Sequence, residues 1–299
     1  MKCISLIIPT CNRATSLRRT LSQLNQLEIP SGVEVEVLVI DNNCRDHTVD
    51  VVAQATREHR LPVRHILETQ QGLCFGRNRG VAEARFDHLA YLDDDILISP
   101  QWLVAYGEAR QTFGVDAVVG PVFPIFEQAP PEFLRGRALD IISSGYSRKG
   151  DVPRLLAPGE AHELPGCNFG VTRQTAMRLN GFQTHLDRAG QGMLAGGDTD
   201  FGLRLVAAGG RTAYHPGCWV QHVMEPEKLS TAYLRRRAFG LGATARRMQT
   251  QTPSPWRRFR GLLGTGRLWA SVLWSRFTQH PEAFNRELRA RQASGHLWG

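Results

Sequence analysis

Apolar and polar positions come in blocks through the first third of the chain. Cys3–Ile8 is a compact apolar run that stops at Pro9, and Val33–Ile40 is a valine-rich run that stops at Asp41-Asn42-Asn43. Val63–Leu67 and His88–Leu92 follow, the last running into Asp93-Asp94-Asp95. Short apolar runs bounded by turn residues predict buried strands. Between them Leu17, Leu21 and Leu24 recur at helical spacing. A second helix is expected over 47–58, with Asp46 as its cap and Val49, Val52 and Ala53 on its inner face. A third is expected over Gly76–Arg85. Strand–helix alternation of this kind predicts an α/β fold, a mostly parallel central sheet flanked by helices.

The pattern loosens over 121–165, which is rich in Pro, Gly and Arg and reads as a loop over a site or a variable insertion. It resumes with Gly166-Cys167-Asn168-Phe169-Gly170, a helix over Thr172–Leu179 and another over Asp198–Ala208. From about residue 226 the chain turns basic and helical. Arg235-Arg236-Arg237 and Arg246-Arg247 lie on a helix expected from Ser230. A further segment, Trp256–Phe277, interleaves aromatic and aliphatic residues with Arg257, Arg258, Arg260, Arg267 and Arg276. Two regions are therefore expected: an α/β domain over 1–225, in halves 1–120 and 121–225, and a helical basic extension over 226–299.

Polar residues cluster where the expected strands end: Thr10, Asn12 and Arg13, then Asp41 and Asn42, then Glu68, then Asp93 to Asp95. In open parallel sheets ligands lie at those carboxyl ends. Three acids after a buried strand are costly unless a cation is there. On an extended backbone residues 93 and 95 point the same way, so both carboxylates can address one divalent metal, the usual partner of a diphosphate. A second acidic pair, Asp198 and Asp200, opens a helix. A metal-clamped phosphate leaving group and a separate carboxylate base together make group-transfer chemistry.

Composition narrows this further. The 36 basic against 28 acidic residues give +8, which suits an acidic partner: nucleotide phosphate, anionic lipid or nucleic acid. The six cysteines form no Cys-x-x-Cys pair and so no zinc signature, and they read as free thiols. No secretory signal is visible and no run of about 18 apolar residues exists, so a cytoplasmic location is expected. No Gly-x-Gly-x-x-Gly follows the first strand, which argues against a dehydrogenase. A nucleotidyltransferase should show a Gly-rich phosphate loop near the N-terminus, which Pro9-Thr10-Cys11-Asn12-Arg13 is not. It is carried as an alternative, together with a non-catalytic nucleotide-sugar- or nucleic-acid-binding protein.

Five motifs in order, Ile8-Pro9-Thr10-Cys11-Asn12-Arg13, Val39-Ile40-Asp41-Asn42-Asn43, Arg77-Asn78-Arg79-Gly80, Leu92-Asp93-Asp94-Asp95 and Gly197-Asp198-Thr199-Asp200-Phe201, resemble the inverting family 2 glycosyltransferases of the GT-A fold over roughly residues 1–225. The resemblance implies that Asp41 bonds the nucleotide base with help from Thr10, Asn12 and Arg13, and that Asn42, Arg77, Asn78 and Asp94 lie beside the donor. It implies that Asp93 lies near the ribose and that Asp95 binds a divalent metal, Mg²⁺ or Mn²⁺, bridging the diphosphate. His222 lies where many GT-A enzymes place a third metal ligand. The family's late acidic motif is usually Glu-Asp. Here Gly197 replaces the Glu, so Asp198 alone matches the base and Asp200 is the runner-up. Asn168 is a candidate acceptor contact. The implied activity is transfer from a nucleotide-diphospho-sugar, a UDP-sugar first, to a glycan or lipid-linked acceptor in cell-surface polysaccharide or glycolipid synthesis. Nucleic acid is not an expected partner. The basic-aromatic segment 256–277 suits either peripheral contact with the inner face of the cell membrane or a hairpin packed on the protein.

Overall fold

The four apolar runs form β1 (Cys3–Thr10), β2 (Glu34–Asp41), β3 (Val63–Leu67) and β4 (His88–Leu92) in a computed structural model that describes residues 1–142, 147–186, 193–249 and 255–298. The chain divides into two units. The first comprises Met1–Ile125, Gly145–His185 and Gly197–Val223; the second comprises Phe126–Ser144, Leu186–Gly196 and Met224–Gly299. The helical unit thus draws two segments from within the range expected for the α/β domain.

In the first unit an eight-stranded sheet runs β3-β2-β1-β4-β9-β6-β10-β8, with β6 at Ala117–Val119, β8 at Arg154–Leu155, β9 at Asn168–Thr172 and β10 at Thr212–Tyr214. Six strands share one direction, and β9 and β8 oppose it. The parallel register sets Thr10 beside Asp41, so both polar strand ends finish level. The antiparallel insertion of β9 sets Asn168 opposite Leu92, one residue short of the acidic triplet. A smaller sheet, β5 (Ile96–Ile98), β11 (Val220–Met224) and β7 (Val122–Phe126), sets His222 opposite Ile96.

The strands alternate between two apolar faces, as period-2 geometry requires. Leu6, Ile8, Val37 and Val39 pack with helices α1 (Ala14–Leu24), α2 (Thr48–Glu58) and α4 (Trp102–Phe113). Ile7, Leu38 and Ile40 pack on the other face with α3 (Leu73–Glu83), α6 (Arg173–Arg178) and α7 (Gly197–Ala207). Each fully buried Leu or Ile contributes roughly 1.5–3 kcal/mol, and this doubly covered sheet holds the strand ends rigid. The inner face of α2 differs from expectation. Val49 is exposed, and Thr48, Val51, Val52 and Ala55 face inward. The phase shifts by one residue because Asp46 accepts from the Thr48 amide (3.1 Å) and hydroxyl (2.6 Å), which lets a polar residue be buried in the first turn.

The second unit holds α5 (Arg137–Ile142), α8 (Thr231–Arg247), α9 (Pro255–Phe277) and α10 (Ala283–Trp298). Ser230 caps α8, its hydroxyl accepting from the Tyr233 amide at 3.2 Å. A Cβ on Gly242 of α8 would lie 1.9 Å from the Gln292 carbonyl oxygen, and one on Gly295 of α10 would lie 2.0 Å from that of Phe239, so these helices cross with backbones nearly touching. Near the crossing Glu287, only 2% exposed, accepts from Arg235 (2.8 Å), Arg291 (2.8 Å) and Arg276 (2.6 Å). Burial raises the carboxyl's pKa, but the three guanidinium groups outweigh it and hold it down at about 2, against an ordinary 4.5. The bound proton is therefore disfavoured in the folded state. Glu287 contributes roughly 2–3 kcal/mol above pH about 4.5, and that contribution is lost as pH falls toward 2. Glu287→Gln is expected to cost about 3 kcal/mol at neutral pH and to flatten the acid limb of a denaturation profile. Guanidinium melts from pH 3 to 7 measure both.

Candidate active site

The strand ends of the first unit converge on the acidic triplet. Asp93 directly follows β4, and a turn through Asp94 and Asp95 leads into β5, so the triplet is bent rather than extended. Asp94 and Asp95 are buried and Asp93 is half-buried. The Thr10 hydroxyl donates to Asp94 Oδ2 at 2.6 Å, while Arg13 lies 3.4 Å from Asp94 Oδ1 and donates to Asp95 Oδ2 at 2.8 Å. Burial pushes the Asp94 carboxyl up to about 7, with Asp95 and Asp93 adding to the rise and Arg13 and Thr10 opposing it. Packed like charges of this kind are what a cation relieves.

His222 arrives through β11. The Val223 amide donates to the Asp95 carbonyl at 2.9 Å, and His222 Nε2 then stands 2.9 Å from Asp95 Oδ1. Asp93, Asp95 and His222 each offer a ligand atom, all within 4.8 Å of one another. Two carboxylate oxygens and one imidazole nitrogen at that spacing fit the donor set of a single divalent ion of the Mg²⁺ or Mn²⁺ kind.

Across from this cluster stands Asp198, half-buried in the first turn of α7. Asp198 Oδ2 accepts from the Gly166 amide at 3.1 Å, and the Gly166 carbonyl accepts from Arg77 Nη2 at 2.9 Å. The same Arg77 nitrogen lies 3.8 Å from Asp93 Oδ1. A Cβ on Gly166 would come within 2.5 Å of both Arg77 Nη2 and Asp198 Oδ2, so glycine is required where those groups approach the backbone. Burial works against the Arg77 charge, but Asp198 and then Asp93 outweigh it and raise its pKa above the ordinary guanidinium value. The Cys167 thiol is pushed well up, by burial first and then by Asp93, Asp95 and Asp198 together. One buried sulfur thus senses both acidic clusters.

The remaining predicted residues divide by what their side chains hold. Asp41, 2% exposed, accepts from the Cys44 amide at 2.8 Å and lies 2.9 Å from His65 Nε2. Asn42 donates to the Gln70 carbonyl at 2.7 Å and accepts from the Gly72 amide at 2.6 Å, tying down the 68–72 loop. Asn12 adopts a left-handed φ of 54° and accepts from the Arg45 amide at 2.7 Å. Asn78 exchanges both ends of its amide with the Phe182 backbone, at 2.9 and 2.7 Å. Asn168 is fully buried: it accepts from the Trp102 indole at 2.8 Å and donates to the Pro121 and Cys218 carbonyls at 3.1 and 2.7 Å. No polar atom of that amide is left to meet an acceptor. Asp200 is committed to Arg204 at 2.7 Å, and Arg204 donates on to the Gly181 carbonyl. His65, Gly166 and Cys167 received no role from the sequence. Only long-range strand pairing brings them in, and no local pattern signals it.

A doubly covered, mostly parallel sheet with an acidic turn beyond its fourth strand and a carboxylate facing it from a late helix is the GT-A glycosyltransferase fold. Solved structures share it. A mannosyltransferase from Pyrobaculum calidifontis, in complex with GDP-Man and Mn²⁺, superposes with a TM-score of 0.62 at 18% identity over 99% of this chain and 87% of that one. S. aureus TarS 1-349 in complex with UDP-GlcNAc gives 0.57 at 14% identity over 83% and 71%. Residues 5–177 match Glycosyl transferase family 2, and the chain belongs to that family. It is a glycosyltransferase, which displaces the nucleotidyltransferase alternative. Among relatives, the succinoglycan biosynthesis protein ExoM of Rhizobium meliloti is 28% identical over 79% of this chain and 72% of its own length. The chondroitin synthase of Escherichia coli is 32% identical over 40% of this chain but 17% of its own. Among the described residues no helix is long and apolar enough to cross a membrane.

Proposed function

We propose that the chain moves a sugar, with inversion, from a nucleotide-diphospho-sugar to a hydroxyl of a glycan or lipid-linked glycan during cell-surface polysaccharide synthesis. A UDP-sugar is the first choice of donor. The observation that carries the reading is the linkage of the two acidic clusters, Asp93 to Arg77 to Gly166 to Asp198, beside the Asp93–Asp95–His222 cluster. The match to a polysaccharide-biosynthesis relative over most of both chains supports the substrate class.

Each residue then has a task. Asp41, steadied by His65 and the Cys44 amide, faces the nucleotide base at the end of β2, while Thr10 and Arg13 brace Asp94 and Asp95 beneath the diphosphate. Asp93, Asp95 and His222 would hold the divalent ion. When bound, that ion supplies positive charge against the diphosphate of the leaving group. Asp198 takes the proton of the acceptor hydroxyl as its oxygen bonds to the anomeric carbon; the carbon–oxygen bond to the nucleoside diphosphate breaks on the opposite face. Arg77 holds Asp198 and Asp93 at a fixed separation through the Gly166 backbone, and Asn168 and Asn78 serve as scaffold. A lipid-linked acceptor would be met at the inner face of the cell membrane, with peripheral contact through 256–277.

A thermal-shift panel of UDP-, GDP- and dTDP-sugars, with and without Mn²⁺, tests the reading. One nucleotide class is expected to raise the melting temperature by several degrees, and chelation is expected to remove the shift. Release of nucleoside diphosphate on acceptor addition completes the test. Pyrophosphate release, or no nucleotide-dependent shift at all, overturns it.

A further inference from the structure

Helix α9 carries two apolar strips, and they point in opposite directions. At 3.6 residues per turn, Leu268, Trp269, Val272 and Ser275 fall along one side. Val272 and Ser275 are buried, and the Trp269 indole donates to Ser294 of α10 at 3.1 Å. The other side carries Trp256, Phe259, Leu263, Leu273, Trp274 and Phe277, every one exposed and Phe277 82% so. Packing on α10 explains the first strip and leaves the second facing water. Two clusters on one helix face, Trp256 to Leu263 and Leu273 to Phe277 with Gly266 and Ala270 between them, are not the ordinary scatter of single surface hydrophobics.

The charges frame it. Arg260 and Arg267 lie along one margin of the outer strip and Arg258 and Arg276 along the other, while the helix contains no Asp or Glu. Arg276 pairs with Glu287, whereas Arg258, Arg260 and Arg267 are exposed and make no ion pair among the described residues. We propose that this outer face of α9 docks on the surface of an anionic lipid bilayer. The helix lies in the membrane plane, with its aromatic strip at the acyl boundary and its arginines level with the lipid phosphates. An apolar strip edged by arginines is the pattern an interfacial helix needs. A second copy of the chain is disfavoured, because arginine margins without acids repel their own kind. Nucleic acid would leave the strip of Trp, Phe and Leu side chains without an apolar partner. The two readings of 256–277 are then compatible, one on each side of the same helix. The proposal rests on the peripheral contact named above but on none of the transfer residues.

Flotation of the full chain with neutral phosphatidylcholine vesicles and with vesicles containing phosphatidylglycerol tests it. Binding is expected to the anionic vesicles and to weaken with salt. Arg260→Gln with Arg267→Gln is expected to lower affinity roughly thirtyfold, since each arginine near an anionic leaflet is worth about 1 kcal/mol. Trp274→Glu with Phe277→Glu is expected to abolish flotation while the melting curve stays unchanged. Brominated acyl chains should quench tryptophan emission in the unaltered protein, a readout that needs no variant. Absent flotation, unchanged binding by both variants, or no quenching overturns the proposal, as does a dimer lost in the Trp274/Phe277 variant without vesicle binding. Transfer to a water-soluble acceptor reads the Asp198 site separately, so the two can fail independently.

Discussion

Asp198→Asn is expected to slow sugar transfer by about 10³-fold while donor affinity stays within a few-fold of wild type. The substitution keeps the shape of the side chain and an oxygen able to accept from the Gly166 amide, so the 3.1 Å bond that positions this residue survives. What is lost is the negative charge, and with it the capacity to take a proton. Asp198 has a second task, because its carboxylate also balances the buried Arg77, whose other acidic neighbour is Asp93 at 3.8 Å. The variant therefore separates the two tasks. A fall in kcat with unchanged donor KM identifies a base. An equal loss in donor binding and rate would mean that Asp198 acts only as the counter-ion of Arg77, and the assignment would be withdrawn. Asp200→Asn is the control. Its carboxylate is held by Arg204 on the neighbouring turn, so its loss is expected to leave kcat within a few-fold.

The parts of this fold that are local in sequence were legible, and those made by distant pairing were not. Four apolar runs became four strands, two of them within two residues at each end and Val63–Leu67 and His88–Leu92 without change, because buried parallel strands need little beyond continuous apolar character. Thr10, Asp41 and the acidic triplet lined up because parallel register makes strand ends finish together. The interval 121–165 read as irregular because its elements, Val122–Phe126, Arg137–Ile142 and Arg154–Leu155, are too short to show a period. Asn168 illustrates a deeper limit. Its motif is visible, but only the insertion of β9 beside β4 reveals an amide consumed by Trp102, Pro121 and Cys218. Likewise, 256–277 was recognisable as basic and aromatic, yet which residues face outward depends on where α10 lies.

The acidic triplet makes the second strong prediction. Asp95→Asn is expected to abolish Mn²⁺- and nucleotide-dependent stabilisation together and to cut transfer at least 10²-fold, with little loss of fold. Asp95 is 3% exposed and lies between Arg13 at 2.8 Å and His222 at 2.9 Å, so its charge would serve a bound cation as well as the guanidinium beside it. Removing one partner of a buried pair ordinarily costs 3–5 kcal/mol, but Arg13 keeps Asp94 at 3.4 Å as a second counter-ion, so a smaller loss of roughly 1–2 kcal/mol is expected. His222→Ala removes the third candidate ligand and leaves both carboxylates. It is expected to weaken Mn²⁺ binding about tenfold rather than abolish it, and high Mn²⁺ should restore transfer. The order of loss, Asp95 beyond His222, reflects charge: an anionic oxygen contributes more to a hard divalent cation than a neutral imidazole does. Titration of Mn²⁺ by tryptophan emission in the two variants measures that order. An Asp95→Asn protein that still showed a chelation-sensitive donor shift would place the metal elsewhere.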